Sequence, residues 1–304
     1  MGGARVRRRI PGSGEGRLVL AKKAPEGMSP ADFGTVFDRF QSSVSRFDCG
    51  RFCAPLNNGE PVCCSTDNAI PIVEKTEFQW LKARTDLWHL YKPTDATSRQ
   101  IVAELHKSCT AIECKGARFC ERDNRTMACR AFPFYPYFTR EGVLVGLATY
   151  WGFEDRCWLI SNMQVVERDF VQEFIAAYEY IFARDPEELK SMKSQSAYHR
   201  RTFSRRNEAI ALIGRDGGFF KVLPRSGRIV PLAADKLPQY GAYVSVAAYR
   251  RAVKDAGGDP KAAEQVLLQR PPVARSAKAA AARAKAPYLT VIHAAPAPQA
   301  GKGR

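Results

Sequence analysis

The sequence predicts an α+β protein, and three observations support this prediction. Apolar residues recur at helical spacing in several segments of the first two thirds of the chain. Short runs of β-forming residues, separated by turn-forming residues, follow after position 207. All nine cysteines lie between positions 49 and 157. We therefore expect a small irregular cysteine-rich domain packed with helices, a small C-terminal α+β module and disordered termini.

Capping residues mark the predicted helices of the N-terminal part. Ser29 followed by Pro30 predicts a helix start, because proline is favoured in the first turn and serine can bond a free backbone N–H. Apolar residues then recur at helical spacing as far as Phe47. Thr76 and Asp95 are predicted to cap two further helices.

The longest predicted helix follows the last cysteine. Ser161 and Gln164 match the capping-box pattern, and apolar residues between positions 165 and 182 form one stripe. Pro186 is expected to end this helix. An aromatic stripe of this kind is typical of a helix that faces the core.

The strand candidates are short and bounded by glycine, proline and polar residues. They are residues 70–73 and 142–153 in the cysteine-containing part, and residues 209–213, 219–223 and 228–232 beyond it. Helical segments at 246–254 and 261–268 complete the predicted C-terminal module.

Composition divides the chain into five predicted segments. They are a disordered basic arm (1–28), a cysteine-cluster domain (29–184), a basic linker (185–206), a small α+β module (207–270) and a disordered tail rich in Ala, Lys and Pro (271–304). The chain carries a net charge of +16, and residues 185–304 contribute +13 of it, with 22 Lys and Arg against nine Asp and Glu. Such an excess indicates a solubilising arm or weak contact with nucleic acid through this basic C-terminal region.

No apolar run approaches the roughly 20 residues that a membrane helix needs. The basic N-terminus also lacks the apolar stretch of a secretory signal. We therefore expect a cytoplasmic protein with no membrane partner, whose thiols are kept reduced.

Nine cysteines in one domain predict metal binding, because a reducing cytosol keeps thiols free and nine are too many for incidental small hydrophobic residues. The odd count also argues against a full set of disulfides. By sequence they form two groups and one isolated residue. The first group is Cys49, Cys53, Cys63 and Cys64; the second is Cys109, Cys114, Cys120 and Cys129; Cys157 stands alone. All nine are candidate ligands, with Cys109 as an accessory one because it lies at a predicted helix end.

The adjacent pair Cys63 and Cys64 points to more than one metal. Neighbouring side chains in an extended chain point to opposite sides, so the pair serves two metals, or one polynuclear cluster, more easily than one tetrahedral ion. The Cys-x2-Cys pairs of zinc ribbons and the ferredoxin spacing are both absent from the sequence. We favour an iron–sulfur cluster over zinc as the cofactor and leave both open.

The run FDCGRFC…CC and the later Cys129-Arg130-Ala131-Phe132-Pro133 resemble the YkgJ-type bacterial cysteine-cluster family, whose domains are associated with zinc or iron chelation. The resemblance covers about residues 46–160 and includes Arg125. It departs from the family in the wider spacing of the first cysteines and in Thr126, where the family commonly has proline. A weaker resemblance to the cysteine-rich part of flagellin lysine methylases implies, as an alternative, a metal-dependent enzyme that modifies a protein substrate.

Arg125 and Arg130 flank Cys129 and are candidate cofactor-binding residues. A guanidinium beside a bound thiolate would offset negative charge and donate hydrogen bonds to sulfur. The alternative is that both are ordinary surface arginines. A known catalytic motif is absent from the sequence, so three hypotheses stay open: a metal-binding protein, a metal-dependent enzyme, and a nucleic-acid-associated protein with structural metal.

Overall fold

The computed structural model describes residues 27–261 and confirms a mixture of helices and antiparallel sheets. Its α-helices are α1 (Pro30–Arg39), α2 (Gly50–Cys53), α3 (Lys75–Lys82), α4 (Ala96–Ala103), α5 (Met127–Ala131), α6 (Arg168–Phe182), α7 (Pro186–Arg206) and α8 (Val246–Asp255). Its strands are β1 (Ile72–Glu74), β2 (Trp88–Leu90), β3 (Cys109–Cys114), β4 (Phe134–Phe138), β5 (Leu144–Thr149), β6 (Ile210–Gly214), β7 (Phe219–Val222) and β8 (Ile229–Pro231). Most of the predicted arm and of the 261–268 helix, and all of the tail, lie outside the described residues.

The strands form two antiparallel sheets. The smaller sheet has the order β1-β3-β2, so that Val73 lies opposite Thr110 and Trp88 lies opposite Cys114. The larger sheet has the order β4-β5-β6-β7-β8, with each strand beside its neighbour along the chain. Within residues 27–261, the helices are all too short or too polar to cross a membrane.

The core lies between the larger sheet and the helices α6 and α7. Every residue of β4 is buried, although β4 is an edge strand of the larger sheet. α7 packs against β4. The predicted stripe of α6 is buried as expected, and its Phe170 and Phe174 contact Phe40 after α1. This packing fixes the N-terminal segment that leads into the first cysteine.

The segment predicted as a linker forms α7, the longest of these helices, and the larger sheet crosses the predicted domain boundary. β5, from the predicted cysteine domain, pairs with β6, from the predicted C-terminal module. α7 packs on β4, and its buried Ser196 accepts a hydrogen bond from the Phe138 N–H at 3.0 Å. The described parts of the two predicted domains therefore share one sheet.

Two predicted caps are confirmed, and two helix starts differ. Ser29 caps α1 in a full capping box, and Asp95 caps α4 in the same way. α3 begins two residues earlier than the Thr76 cap implied, at Lys75, with Glu74 in the cap position. The longest predicted helix starts at Arg168 instead of near Ser161, because residues 160–165 form a 3-10 segment.

α1 ends at Arg39, eight residues before the end of its predicted apolar pattern. The Glu173 carboxylate on α6 accepts hydrogen bonds from the backbone N–H groups of Gln41 and Ser42, at 2.7 and 2.6 Å. These bonds hold the chain in an irregular path after α1, which carries it to Cys49.

Candidate metal centre

Eight of the nine cysteines gather in two neighbouring groups that differ from the groups expected by sequence. The first cysteine group is Cys49, Cys53, Cys63 and Cys157, which line one cavity. The second cysteine group is Cys64, Cys114, Cys120 and Cys129, whose thiols lie near enough for their charges to interact. The thiols of Cys63 and Cys64 share a hydrogen bond, so the two groups meet at this pair.

Short irregular elements present the first cysteine group. Cys49 precedes α2 and Cys53 is its last residue, so the predicted i, i+4 spacing places both thiols at one cavity. The 3-10 turn Val62–Cys64 supplies Cys63. Cys157 comes from the loop beyond β5, and the backbone N–H groups of Leu159 and Ile160 lie within hydrogen-bond reach of its sulfur. Such N–H contacts favour a thiolate over a thiol.

The cavity at the first cysteine group is small and enclosed mainly by apolar side chains. Its volume is about 10 Å³, which is room for about one water-sized sphere. Trp158 lines it and stacks on Phe52, with ring centroids 4.1 Å apart. Trp158 Nε1 and Asp48 Oδ1 are buried and have no hydrogen-bond partner. Neither residue was predicted from the sequence, although each is the direct neighbour of a cysteine.

The second cysteine group lies where β3 ends and α5 begins. Cys114 ends β3, and its sulfur accepts a hydrogen bond from the Gly116 N–H at 3.3 Å. Gly116 has φ +101°, a conformation that glycine adopts without a steric penalty and that makes this turn possible. Cys120 follows a 3-10 turn, and Cys129 lies in α5, where its backbone N–H donates to the hydroxyl of the capping residue Thr126.

Burial keeps these thiols protonated while no cation is near. Burial and, to a smaller extent, the neighbouring Cys63 together raise the pKa of Cys157 to about 12. Burial also raises the pKa of Cys120 to about 11, against the opposing effect of Arg125. A metal ion that binds here must displace protons, so its affinity must rise with pH.

Both predicted arginines are buried, which excludes the surface-arginine alternative. Arg125 lies beside Cys120 and Cys129, and its Nε donates to the carbonyl of Arg122 at 3.1 Å. Arg130 donates to three backbone carbonyls, those of Phe40, Asp123 and Arg125. Burial and, to a smaller extent, the charge of Arg125 together lower the pKa of Arg130 to about 10. Arg125 is therefore the guanidinium that faces the sulfurs most directly, whereas Arg130 joins backbone segments.

Cys109 lies apart from both cysteine groups, which corrects its place in the predicted second group. It begins β3, opposite Glu74, and its charged neighbours are Glu74, Glu188 and Asp185. Four residues of extended strand lie between it and Cys114, so the two cysteines are held at opposite ends of β3. Cys157 takes the place in the first group that the sequence assigned to Cys64.

Within each cysteine group, the thiols lie close together but do not have the arrangement that a bound metal ion requires. Among residues 27–261, no three Cys, His, Asp or Glu side chains stand in positions that could hold a metal ion. Metal binding at either group therefore requires the cysteine side chains to turn toward a common centre. The short loops that carry them are the segments that would have to adjust.

Comparison with known proteins gives no relative. No family model, no curated protein and no solved structure matches the chain. The resemblances to cysteine-cluster proteins and to flagellin lysine methylases therefore stay predictions from the quoted residues.

Proposed function

We propose that this chain is a metal-binding protein with two adjacent sites, each formed by four cysteine thiolates. The observation that carries the proposal is the division of eight cysteines into two groups of four that meet at Cys63 and Cys64. Cys63 and Cys64, adjacent in one 3-10 turn, would supply one thiolate to each site. Four thiolates are the donor set of structural zinc sites and of iron–sulfur clusters.

The surroundings of both groups suit a bound metal. At the first cysteine group, the unpartnered Trp158 N–H is a donor that a metal-bound thiolate or sulfide can satisfy. At the second group, Arg125 offsets part of the charge of four thiolates. The cavity of about 10 Å³ at the first group has room for one ion, which favours zinc there over the iron–sulfur cluster favoured by sequence.

The metal would act as a crosslink between loops. The elements that carry the cysteines are short: α2 has four residues, α5 has five, and Cys63 and Cys64 lie in one 3-10 turn. Helices of this length gain little stability from their own hydrogen bonds. A site closed by four thiolates has no open coordination position, so this arrangement supports a structural role over an enzymatic one.

Anaerobic purification followed by elemental analysis tests the proposal. We expect two metal equivalents per chain if both sites hold single ions, in a colourless protein without acid-labile sulfide. A brown protein with iron and sulfide would keep the thiolate sites and replace the single ion by a cluster. A chain without stoichiometric metal would contradict the proposal.

Single substitutions separate the two sites. Cys49→Ser and Cys157→Ser should remove one metal equivalent, and Cys114→Ser and Cys120→Ser should remove the other. Cys109→Ser is the matched control and should leave the metal content unchanged, because Cys109 lies outside both groups. Loss of both equivalents in every ligand variant would show one shared cluster.

A further inference from the structure

A cleft lined by five arginines lies between α7, the end of β4 and the turn that joins β7 to β8. Its volume is about 630 Å³, and the guanidinium-bearing residues are Arg140, Arg200, Arg201, Arg205 and Arg225. No acidic residue lines it. This concentration of positive charge was not apparent from the sequence, because its members come from three separate segments.

Two of the five arginines form part of the framework. Arg140 donates from one guanidinium nitrogen to the carbonyls of Pro224 and Arg225, at 3.1 and 2.7 Å. Arg200 is buried and donates to the Phe138 carbonyl and to the Tyr137 hydroxyl. These bonds attach the β7–β8 turn and α7 to the end of β4, so the position of the cleft is fixed.

The other three arginines are exposed and available to a ligand. Arg201 and Arg205 lie four residues apart on one face of α7, and Arg225 faces them from the turn. Among the described residues, none of the three forms a salt bridge with a carboxylate. Glu141 lies near Arg140 and Arg200 and offsets part of the charge at the other end of the cleft.

The chemistry of the cleft selects a ligand with several phosphates. Guanidinium groups bind phosphate oxygens in pairs, and one phosphate cannot neutralise five of them. The lining contains no aromatic side chain on which a base could stack. We propose that this cleft binds the sugar–phosphate backbone of a nucleic acid, without reading its sequence. This inference is independent of the metal sites, since no cysteine contributes to the cleft.

Salt-dependent binding of a fluorescent 20-nucleotide strand to the full chain tests the inference. The variant Arg201→Gln/Arg205→Gln/Arg225→Gln should bind at least tenfold more weakly than the parent at moderate salt. Its log–log salt slope should be lower by about 2, because each lost phosphate contact to a single strand removes about 0.7. RNA and DNA strands are tested separately, and binding of either one supports the proposal.

A matched control removes the same charge elsewhere. Lys82→Gln/Lys92→Gln/Lys107→Gln changes three exposed residues outside the cleft and should keep the slope and affinity of the parent within about twofold. Equal losses in both triple variants would overturn the proposal, as would a parent chain that binds neither strand. It would also be overturned if the arginine variant lost binding to anionic lipid vesicles and kept binding to nucleic acid. Unchanged circular dichroism and melting temperature confirm that the variants fold.

Discussion

The cysteine region (residues 49–129, with the loop 150–165 that carries Cys157) and the sheet region (the rest of residues 134–231) are built in different ways. In the sheet region, the 15-residue α6 and the 21-residue α7 pack on strands whose side chains are largely buried. In the cysteine region, no helix exceeds eight residues, and two of the three strands have three residues each. The sheet region contains enough apolar packing to hold its own elements, whereas the cysteine region consists of short elements that, on our proposal, metal links between loops would stabilise.

Removing the metal should have the largest effect and should separate the two regions. We expect a chelator to abolish hydrogen-exchange protection of amides in the cysteine region, because thiolate sites in small domains contribute roughly 10 kcal/mol. Amides of β5, β6 and β7 should keep most of their protection. Hydrogen exchange read by mass spectrometry checks this, and equal loss of protection in both regions would contradict the comparison.

Truncation of a core side chain should destabilise the sheet region and not the metal sites. Phe174 is fully buried and contacts Phe40, Phe170 and Tyr178. Phe174→Ala should lower the free energy of unfolding by about 3 to 5 kcal/mol through the cavity that it leaves. Metal content should not change. Urea unfolding and elemental analysis of the same preparation check both parts, and a loss of metal would show that the regions are coupled through α6.

The elements with local signals were predictable from the sequence, and those fixed by distant contacts were not. Ser29 and Asp32 form one capping box, and Asp95 and Ser98 form another. In both, the capping residue was predicted from the sequence. Ser161 failed as a cap because its hydroxyl accepts the Tyr240 N–H at 2.9 Å, from a residue 79 positions away. A capping pattern covers only a few consecutive residues, so it carries no information about a hydrogen-bond donor 79 positions away.

α7 was missed because polar residues form part of its buried face. Ser196, His199, Arg200 and Phe203 follow helical spacing and are all buried. His199 Nδ1 and the Tyr135 hydroxyl hydrogen-bond at 2.7 Å, and Arg200 donates to β4. Hydrophobic periodicity detects only apolar residues. It therefore misses buried polar residues whose hydrogen-bond partners lie in a strand distant in the sequence.

The candidate site was predictable in its composition and unpredictable in its grouping. Cys63 and Cys64 lie in different cysteine groups, but they occupy a 3-10 turn with their thiols hydrogen-bonded, and not the extended chain on which the prediction rested. The exchange of Cys64 for Cys157 in the first cysteine group depends on the loop after β5, which the sheet places beside α2. Spacing along the chain has no information about that approach.

A buried carboxyl gives the cysteine region a support that depends on pH. Glu77 on α3 accepts the Met127 N–H at 2.7 Å, where α5 begins. Burial raises its pKa from 4.5 to about 7, although the bond from Met127 and the charge of Arg130 oppose the shift. Between these two values the folded chain holds a proton that the unfolded chain has lost. Stability from this group is therefore complete below about pH 4.5 and decreases as the pH rises to about 7.

Glu77→Gln tests this contribution because the amide keeps an acceptor oxygen and cannot ionise. Relative to the parent, the variant should gain up to about 3 kcal/mol of unfolding free energy between pH 5 and pH 8. Urea unfolding across that range measures the difference, and effects of pH on metal binding are common to both proteins. Glu60→Gln, at an exposed position, is the control and should show no such trend. A pH-independent difference for Glu77→Gln would contradict the assignment.

The smallest expected effect distinguishes the two cysteine groups from each other. Arg125 is buried beside Cys120 and Cys129, and no arginine or lysine lines the cavity of the first group. A four-thiolate site that binds a divalent ion keeps net negative charge, so the loss of a neighbouring guanidinium should weaken the second site alone. Arg125→Met should lower its metal affinity by about 10- to 100-fold, which is the usual effect of removing an outer partner of a ligand.

Each site can be measured separately in a variant in which the other group has lost one of its cysteines. Competition with a chelator should show the effect of Arg125→Met in a Cys157→Ser background, where the second group is complete, and no effect in a Cys114→Ser background. Arg118→Met, at an exposed position two residues before Cys120, is the matched control for loss of a nearby charge. If Arg118→Met weakens the second site as much as Arg125→Met does, long-range charge sets the affinity and the burial of Arg125 does not. If instead only Arg125→Met acts, and only on the second site, the guanidinium acts through its position beside the sulfurs.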